Sequence, residues 1–197
     1  IIINKGSEKM KKHFYAMISR MKNINRWGLM RNTRNENLSE HSLEVAFISH
    51  ALAVINNVRL GGSVNPETTA VAAMYHDTTE IITGDMPTPI KYYNCTIKKA
   101  YKDIEKVAEN RLLDNLPDDF KPTYTKIYNP EADITRLVKA ADKISALIKC
   151  IEECNMGNRE FLVAKDSTLN AIKDLNCPEA DIFMEEFLDS FSLSLDE

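Results

Sequence analysis

Histidine limits what chemistry this chain can do, because only four occur: His13, His41, His50 and His76. A nitrogen-containing metal site must be assembled from these few, with carboxylates filling the other positions. The segment AMYHDTTEIITGDMPTP, residues 73–89, places His76 and Asp77 side by side in an apolar run, with Glu80 following and Asp85 just after Gly84. His41 precedes a second apolar run, and Asp142 interrupts a third, LVKAADKISALIK, among Ala140, Ala141, Ile144 and Leu147. A carboxylate on such a face is costly unless it is paired or ligates a cation. His41, His76, Asp77 and Asp142 are therefore the economical set for one divalent ion. The residues alone leave a second account open, with His76 and Asp77 as a hydrogen-bonded core pair and Asp142 as an acceptor for backbone or lysine N–H groups.

Convergence of these four requires separate elements, and the spacing of apolar residues predicts helices. MKKHFYAMISRMKNI carries Phe14, Met17, Ile18, Met21 and Ile24 on one helical stripe ending near Asn25. NRWGLMRNTRNENLSE has little period and reads as a loop bearing Arg26, Trp27 and Arg31. Asn37 and Glu40 have capping-box spacing for the next helix, with Ser39 as another cap, and His41 falls in the first turn. Asn65, Pro66 and Gly84 mark the cap, first position and stop of one helix whose apolar face runs through Val71, Met74, Tyr75, Thr78, Ile81 and Ile82. On such a helix Glu80 shares nearly the face of His76, whereas His76 and Asp77 point about 100° apart and converge only by an end-on or distorted approach.

A helical repeat through Ile97, Tyr101, Ile104, Ala108 and Leu112 follows, and LPDDFKPTYTKIYNPEAD breaks it. A long helix then runs from Pro130 to a stop at Gly157, and two shorter ones complete the chain, REFLVAKDSTLNAIKDL and PEADIFMEEFLDSF. With no strand alternation, repeat or low-complexity block, the chain reads as all-α, a single domain of roughly six or more helices. The domain spans residues 10–197, and residues 1–9 read as a cloning remnant or a loose, disordered extension.

Composition narrows the function classes. At 44% hydrophobic and 27% charged, with no apolar run of bilayer length, the sequence argues against a membrane-spanning helix. The formal charge of −4, with scattered Lys and Arg, argues against long nucleic acid as the main partner but leaves room for a small anion. The cysteines, Cys95, Cys150, Cys154 and Cys177, form no Cys-x-x-Cys pair, so reduced thiols and a cytoplasmic location are expected.

The order His41, His76-Asp77, Asp142 resembles the H…HD…D signature of the HD-domain phosphohydrolases, all-α metal enzymes. NRWGLMRNTRNENLSEHS, MYHDTTEIITGDMPTPIKYYN and SLSLDE are more closely similar to the bacterial 5′-deoxynucleotidases of the YfbR type, from Met10 to Glu197. The resemblance implies His41, His76, Asp77 and Asp142 as ligands of one divalent transition ion: Co, Mn, Fe, Ni, Cu or Zn. It implies hydrolysis of deoxyribonucleoside 5′-monophosphates to deoxyribonucleoside and phosphate, by direct attack of water activated at the ion. His41, Asp77 and Asp142 would then also meet the substrate phosphate.

Glu80 and Asp85 become the implied proton-transfer groups, where the bare sequence allows a solvated glutamate or a supporting partner of His76. Arg26 is implied to orient the phosphate and Trp27 to crowd the ribose 2′ position; without the resemblance they read as a helix-end cation and a core anchor. Met86, Pro87, Thr88 and Pro89 form a stiff loop suited to a substrate wall, although prolines after a helix often only stop it. His13 and His50 are left as structural, and Arg31, Arg34 and Lys91 as solvated charges. A homodimer is implied, with FLVAKDSTLNAI or DIFMEEFLDSF as candidate interface faces. The rival readings are another HD phosphohydrolase reaction, on nucleoside triphosphates or cyclic phosphodiesters, and a non-catalytic nucleotide-binding protein.

Overall fold

The computed structural model of the chain describes residues 12–87, 90 and 93–197. Residues 1–9, Thr88, Pro89 and Lys91 lie outside the described residues, so the readings made of them stay as expectations. The described architecture is all-α, and β pairing among the described residues is limited to one antiparallel bridge between Asn25 and Asn37. Helix α1 (Phe14–Ile18) continues as a 3₁₀ turn, Ser19–Asn23. Then come α2 (Leu38–Arg59), α3 (Pro66–Tyr75), α4 (Glu80–Thr83), α5 (Cys95–Leu113) and α6 (Lys121–Tyr128). The long α7 (Ala132–Asn155), α8 (Leu162–Lys173) and α9 (Pro178–Phe187) complete the set.

The caps act locally as their side chains require. Asn37 Oδ1 accepts from the Ser39 and Glu40 N–H groups at 3.0 and 3.1 Å, and Glu40 Oε2 accepts from Asn37 N at 3.1 Å. This capping box fixes the start of α2 and thereby the height of His41. Asn65 Oδ1 accepts from Thr68 N at 2.7 Å to start α3. Gly84 (φ 74°) and Gly157 (φ 81°) take the left-handed backbone that ends a helix, a conformation costly for other residues.

Two expectations need correction. The helix expected from Pro66 to Gly84 is broken: α3 stops at Tyr75, and residues 76–79 form tight turns before α4. His76 Nδ1–H donates to the Ala73 carbonyl at 2.7 Å and Thr78 Oγ1–H to the Tyr75 carbonyl at 2.8 Å, so side chains take the acceptors that a continuing helix would have used. Its apolar face also differs: Thr69, Ala72 and Ala73 are buried, while Met74 is exposed. The other correction is α6, which forms where the apolar period breaks. Tyr124 and Tyr128 on α6 pack around Phe14 and Tyr75, with ring centroids 4.9 Å apart for Phe14–Tyr124 and 6.2 Å for Tyr75–Tyr128. That aromatic packing is tertiary, and eight residues with a proline in the first turn show little of it in sequence. On α5, Tyr101, Ala108 and Leu112 are buried, but Ile104 is exposed.

The main core joins α2, α3, α7 and α9 through Val45, Leu52, Leu137, Ile144, Ile148 and Phe183. Ala46, Ala53, Ala72, Ala73, Ala140 and Ala141 are all buried in it. Such small side chains let helix axes approach closely, so α2, the end of α3 and α7 can bring long polar side chains to one point. A second cluster, Phe14, Leu112, Leu113 and Leu116, ties α1 to the end of α5.

Candidate metal centre and phosphate site

Each of three elements delivers part of one polar cluster. His41 comes from the first turns of α2, Asp142 from the middle of α7, and His76 and Asp77 from the turn that follows α3. One donor atom from each lies within 4.8 Å of the other three. His41 Nε2 is 3.1 Å from Asp142 Oδ1 and 3.5 Å from Asp77 Oδ2, and His76 Nε2 is 3.1 Å from Asp77 Oδ2 and 4.0 Å from Asp142 Oδ1. Neither Nε2 makes a well-formed hydrogen bond among the described residues, although both are buried. The break at residue 76 allows this convergence of adjacent side chains.

The other ring nitrogens are engaged. His76 Nδ1 sits on the Ala73 carbonyl, which can only accept, so this nitrogen carries the proton and Nε2 presents its lone pair. His41 Nδ1 lies 3.1 Å from Ser145 Oγ, whose hydroxyl donates in turn to Glu44 Oε2. A hydroxyl donating to Glu44 has its lone pairs free for the imidazole N–H, which leaves Nε2 as the ring atom that faces the cluster. Asp142, with a side chain 41% exposed, opens the cluster toward solvent, whereas His41 is fully buried.

The electrostatics describe a site rich in negative charge. Burial and the Arg26 charge both oppose protonation of His41, yet contacts with Asp142, Asp77 and Glu36 outweigh them and raise its pKa to about 10. Desolvation raises the Asp142 carboxyl, but His41 beside it brings the pKa down to about 2. Asp77 is likewise disfavoured by burial and held well below its usual range by His76 and His41. The surplus of negative charge that draws a proton onto His41 would equally favour a divalent cation in its place, and two imidazole nitrogens with two ionised carboxylates suit a borderline transition ion.

Arg26 stands at the rim, its Nη1 3.5 Å from Asp77 Oδ2 and its Nε 3.6 Å from Glu36 Oε2. Burial works against its charge, but Asp142, Glu36, Asp77 and Asp85 together raise its pKa, which also places Asp85 within reach of the site's field. Trp27 adopts φ 57° and sends its indole N–H to Glu36 Oε2 at 2.8 Å, with its ring 5.4 Å from that of Phe161. Glu80 is buried at the first position of α4, its N–H on the Asp77 carbonyl at 2.9 Å. It is therefore set by the turn rather than by a continuous helix shared with His76. Met86 and Pro87 are half-buried after Gly84.

A profile of the family described as 5′-deoxynucleotidase YfbR-like matches residues 13–191. The chain belongs to this family. YfbR-type relatives extend along nearly all of it: a 5′-deoxynucleotidase of Erwinia tasmaniensis is 50% identical over 189 residues, covering 94% of this chain and 95% of the relative. The 5′-deoxynucleotidase YfbR of Escherichia coli is 50% identical over 188 residues, covering 94% of each. Among solved structures, an HD-domain phosphohydrolase of Listeria innocua superposes with a TM-score of 0.79 at 21% identity, covering 91% of this chain and 88% of that one. The cyanophage S-2L HD phosphohydrolase DatZ, bound to dA and one catalytic Zn²⁺, gives a TM-score of 0.65 at 18% identity over 89% of this chain and 95% of that one. At these identities the two structures speak for the HD fold of the YfbR-like chain.

Of the residues expected from sequence, the fold brings His41, His76, Asp77, Asp142 and Arg26 into contact range, and Trp27 joins them through Glu36. His13 and His50 are exposed, and Arg31 bonds Glu160 at 2.6 Å. The sequence reading missed Glu36, Glu44 and Ser145. Ser145 and Glu44 had a faint signal, each lying one helical turn after a proposed ligand, Asp142 and His41 respectively. Glu36, in an aperiodic loop, had none.

Proposed function

We propose that this chain is a metal-dependent phosphomonoesterase that hydrolyses deoxyribonucleoside 5′-monophosphates to deoxyribonucleoside and inorganic phosphate. The observation that carries this reading is the convergence of His41, His76, Asp77 and Asp142 within 4.8 Å, with Arg26 at their edge. The reaction is that named for curated relatives at about half identity. Two imidazole Nε2 atoms and two carboxylates would hold one divalent transition ion, and Co, Mn, Fe, Ni, Cu and Zn all suit such a set. When bound, such an ion lowers the pKa of coordinated water and neutralises charge on a phosphoryl group.

The chain's own groups do the rest. The Arg26 guanidinium donates to phosphate oxygens and fixes the phosphorus for in-line attack. The Trp27 indole lies against the sugar, where a 2′-hydroxyl would crowd it. Glu80 and Asp85 take the proton from the attacking water and return one to the departing 5′-oxygen, so that no covalent phosphoenzyme is required. Met86 and Pro87 wall the substrate. We also propose a homodimer and a cytoplasmic location. Exposed Leu162 and Val163 on α8 support the first, and four free cysteines the second.

A phosphate-release assay across deoxy- and ribonucleoside mono- and triphosphates, with chelation and metal add-back, tests the reading. Deoxyribonucleoside monophosphates are expected to be the preferred substrates, and chelation to stop turnover. Asp77→Ala is expected to lose both bound metal and phosphate release. Phosphate from triphosphates alone would favour another HD reaction, and no release from any nucleotide a binding role.

A further inference from the structure

Glu36 sits between groups that the proposed reaction uses separately. Its Oε2 accepts the Trp27 indole N–H at 2.8 Å and lies 3.6 Å from Arg26 Nε, while its Oε1 is 3.5 Å from His41 Nδ1. Its backbone carbonyl accepts the Arg26 N–H at 2.9 Å, so the bridge at Asn25 and Asn37 brings both ends of the loop against the same carboxylate. Burial raises the cost of ionising this carboxyl, but His41, Arg26 and Trp27 keep its pKa low.

Trp27 needs such a partner. Its φ of 57° is a backbone region that a bulky residue rarely occupies, and a strained conformation persists only where its surroundings over-determine it. Among the described residues it is held by Glu36 on the indole nitrogen, by Asn32 Nδ2–H and Met30 N–H on the Trp27 carbonyl at 3.2 and 2.9 Å, and by the Phe161 ring at 5.4 Å. Of these, only Glu36 also faces Arg26. His41, by contrast, has independent support in Ser145 and Glu44.

We infer that Glu36 is a positioning residue for substrate selection, holding the Trp27 indole and the Arg26 guanidinium in one fixed geometry so that sugar and phosphate are read together. The inference rests on the deoxynucleotidase reading above for what is selected. It does not rest on that reading for what Glu36 holds. A carboxylate shared by two recognition groups makes their positions interdependent: an indole that swings away leaves Arg26 to follow Asp77, and discrimination at the 2′ position weakens.

Trp27 is the only tryptophan in the chain, so its emission reports on this one contact. Glu36→Ala and Glu36→Gln are compared with the parent by tryptophan emission and acrylamide quenching, by bound-metal content, and by kcat and KM for dAMP and AMP. Glu36→Ala is expected to shift the emission to longer wavelength, quench more readily, retain metal, and narrow the deoxy-to-ribo ratio of kcat/KM by about tenfold. Glu36→Gln keeps an acceptor for the indole without the charge facing Arg26. It is expected to retain the parent emission and ratio while changing KM, a split that general loss of structure would not produce. Parent-like emission and quenching in Glu36→Ala, or an unchanged ratio, would overturn the inference. Should the parent not hydrolyse dAMP, the deoxynucleotidase reading fails instead, and the fluorescence comparison still decides whether Glu36 holds Trp27.

Discussion

At the scale of single residues, the chemistry depends on which nitrogen of each imidazole is free. His76 is fixed by a backbone carbonyl, which a mutation cannot readily remove, but His41 relies on the Ser145 hydroxyl at 3.1 Å and on Glu44 behind it. Burial, with Glu36 and Glu152 nearby, raises the Glu44 pKa, while the Ser145 hydrogen bond counters that rise. Ser145→Ala leaves the His41 N–H without its nearest acceptor in a fully buried place. Loss of such a supporting bond typically weakens metal affinity by roughly 10–100-fold. A chelator-competition titration is expected to show a loss of that size with the helical signal intact. Unchanged affinity would assign control of the tautomer to Glu36 Oε1.

At the scale of elements, the decisive feature is the interruption of the α3–α4 segment. A straight helix would separate His76 and Asp77 by about 100° around its axis, whereas the turn at 76–79 brings His76 Nε2 and Asp77 Oδ2 to 3.1 Å. Thr78 holds the turn in place: its fully buried hydroxyl sits 2.8 Å from both the Tyr75 carbonyl and the Tyr128 hydroxyl. Thr78→Val preserves the shape and strands those partners, at a cost of about 1–3 kcal/mol. Urea unfolding is expected to show that loss, together with weakened metal binding, and Thr78→Ser is expected to recover most of both. The capping box of α2 acts more simply, setting where His41 enters the core.

At the scale of the whole molecule, buried ion pairs join the loops to the helical frame. Glu153, fully buried on α7, accepts from Lys149, from Thr33 N and Oγ1 at 2.9 and 2.7 Å, and from Asn158 Nδ2 at 2.8 Å. It thereby fastens the loop that carries Arg26 and Trp27 to α7. Burial opposes its ionisation, but Lys149, Thr33 and Asn158 hold its pKa far below the usual range. Glu179 is the counterpart at α9, where a bidentate pair with Arg136 at 2.6 and 2.7 Å outweighs desolvation and brings its pKa to about 2. A carboxylate with a depressed folded pKa adds stability that is complete above its unfolded value of 4.5 and is lost as pH falls toward the folded one. Melting temperature is therefore expected to hold from neutral pH down to about pH 5 and then fall steeply. Glu179→Gln is expected to flatten that fall and to lower stability by roughly 2–3 kcal/mol. That is less than a fully buried pair would lose, because Arg136 reaches solvent.

The sequence by itself determined the helices whose signals are local. Asn37 with Glu40, Asn65 with Pro66, and Gly157 act through neighbours a few residues away, so their effects are visible in the letters. Scarce histidines and a carboxylate on an apolar face were enough to nominate His41, His76, Asp77 and Asp142 as a set, because burying such groups demands a reason. What tertiary structure decided was geometry between distant segments. It interrupted a helix whose apolar period ran on, since Thr78 found Tyr128, 50 residues away. It formed α6 from aromatic packing that no window of sequence contains, and it placed Glu36 between Trp27, Arg26 and His41. The reason is physical: local propensity is a function of nearby residues, whereas the partner of a buried polar group is chosen by which segments the core brings side by side.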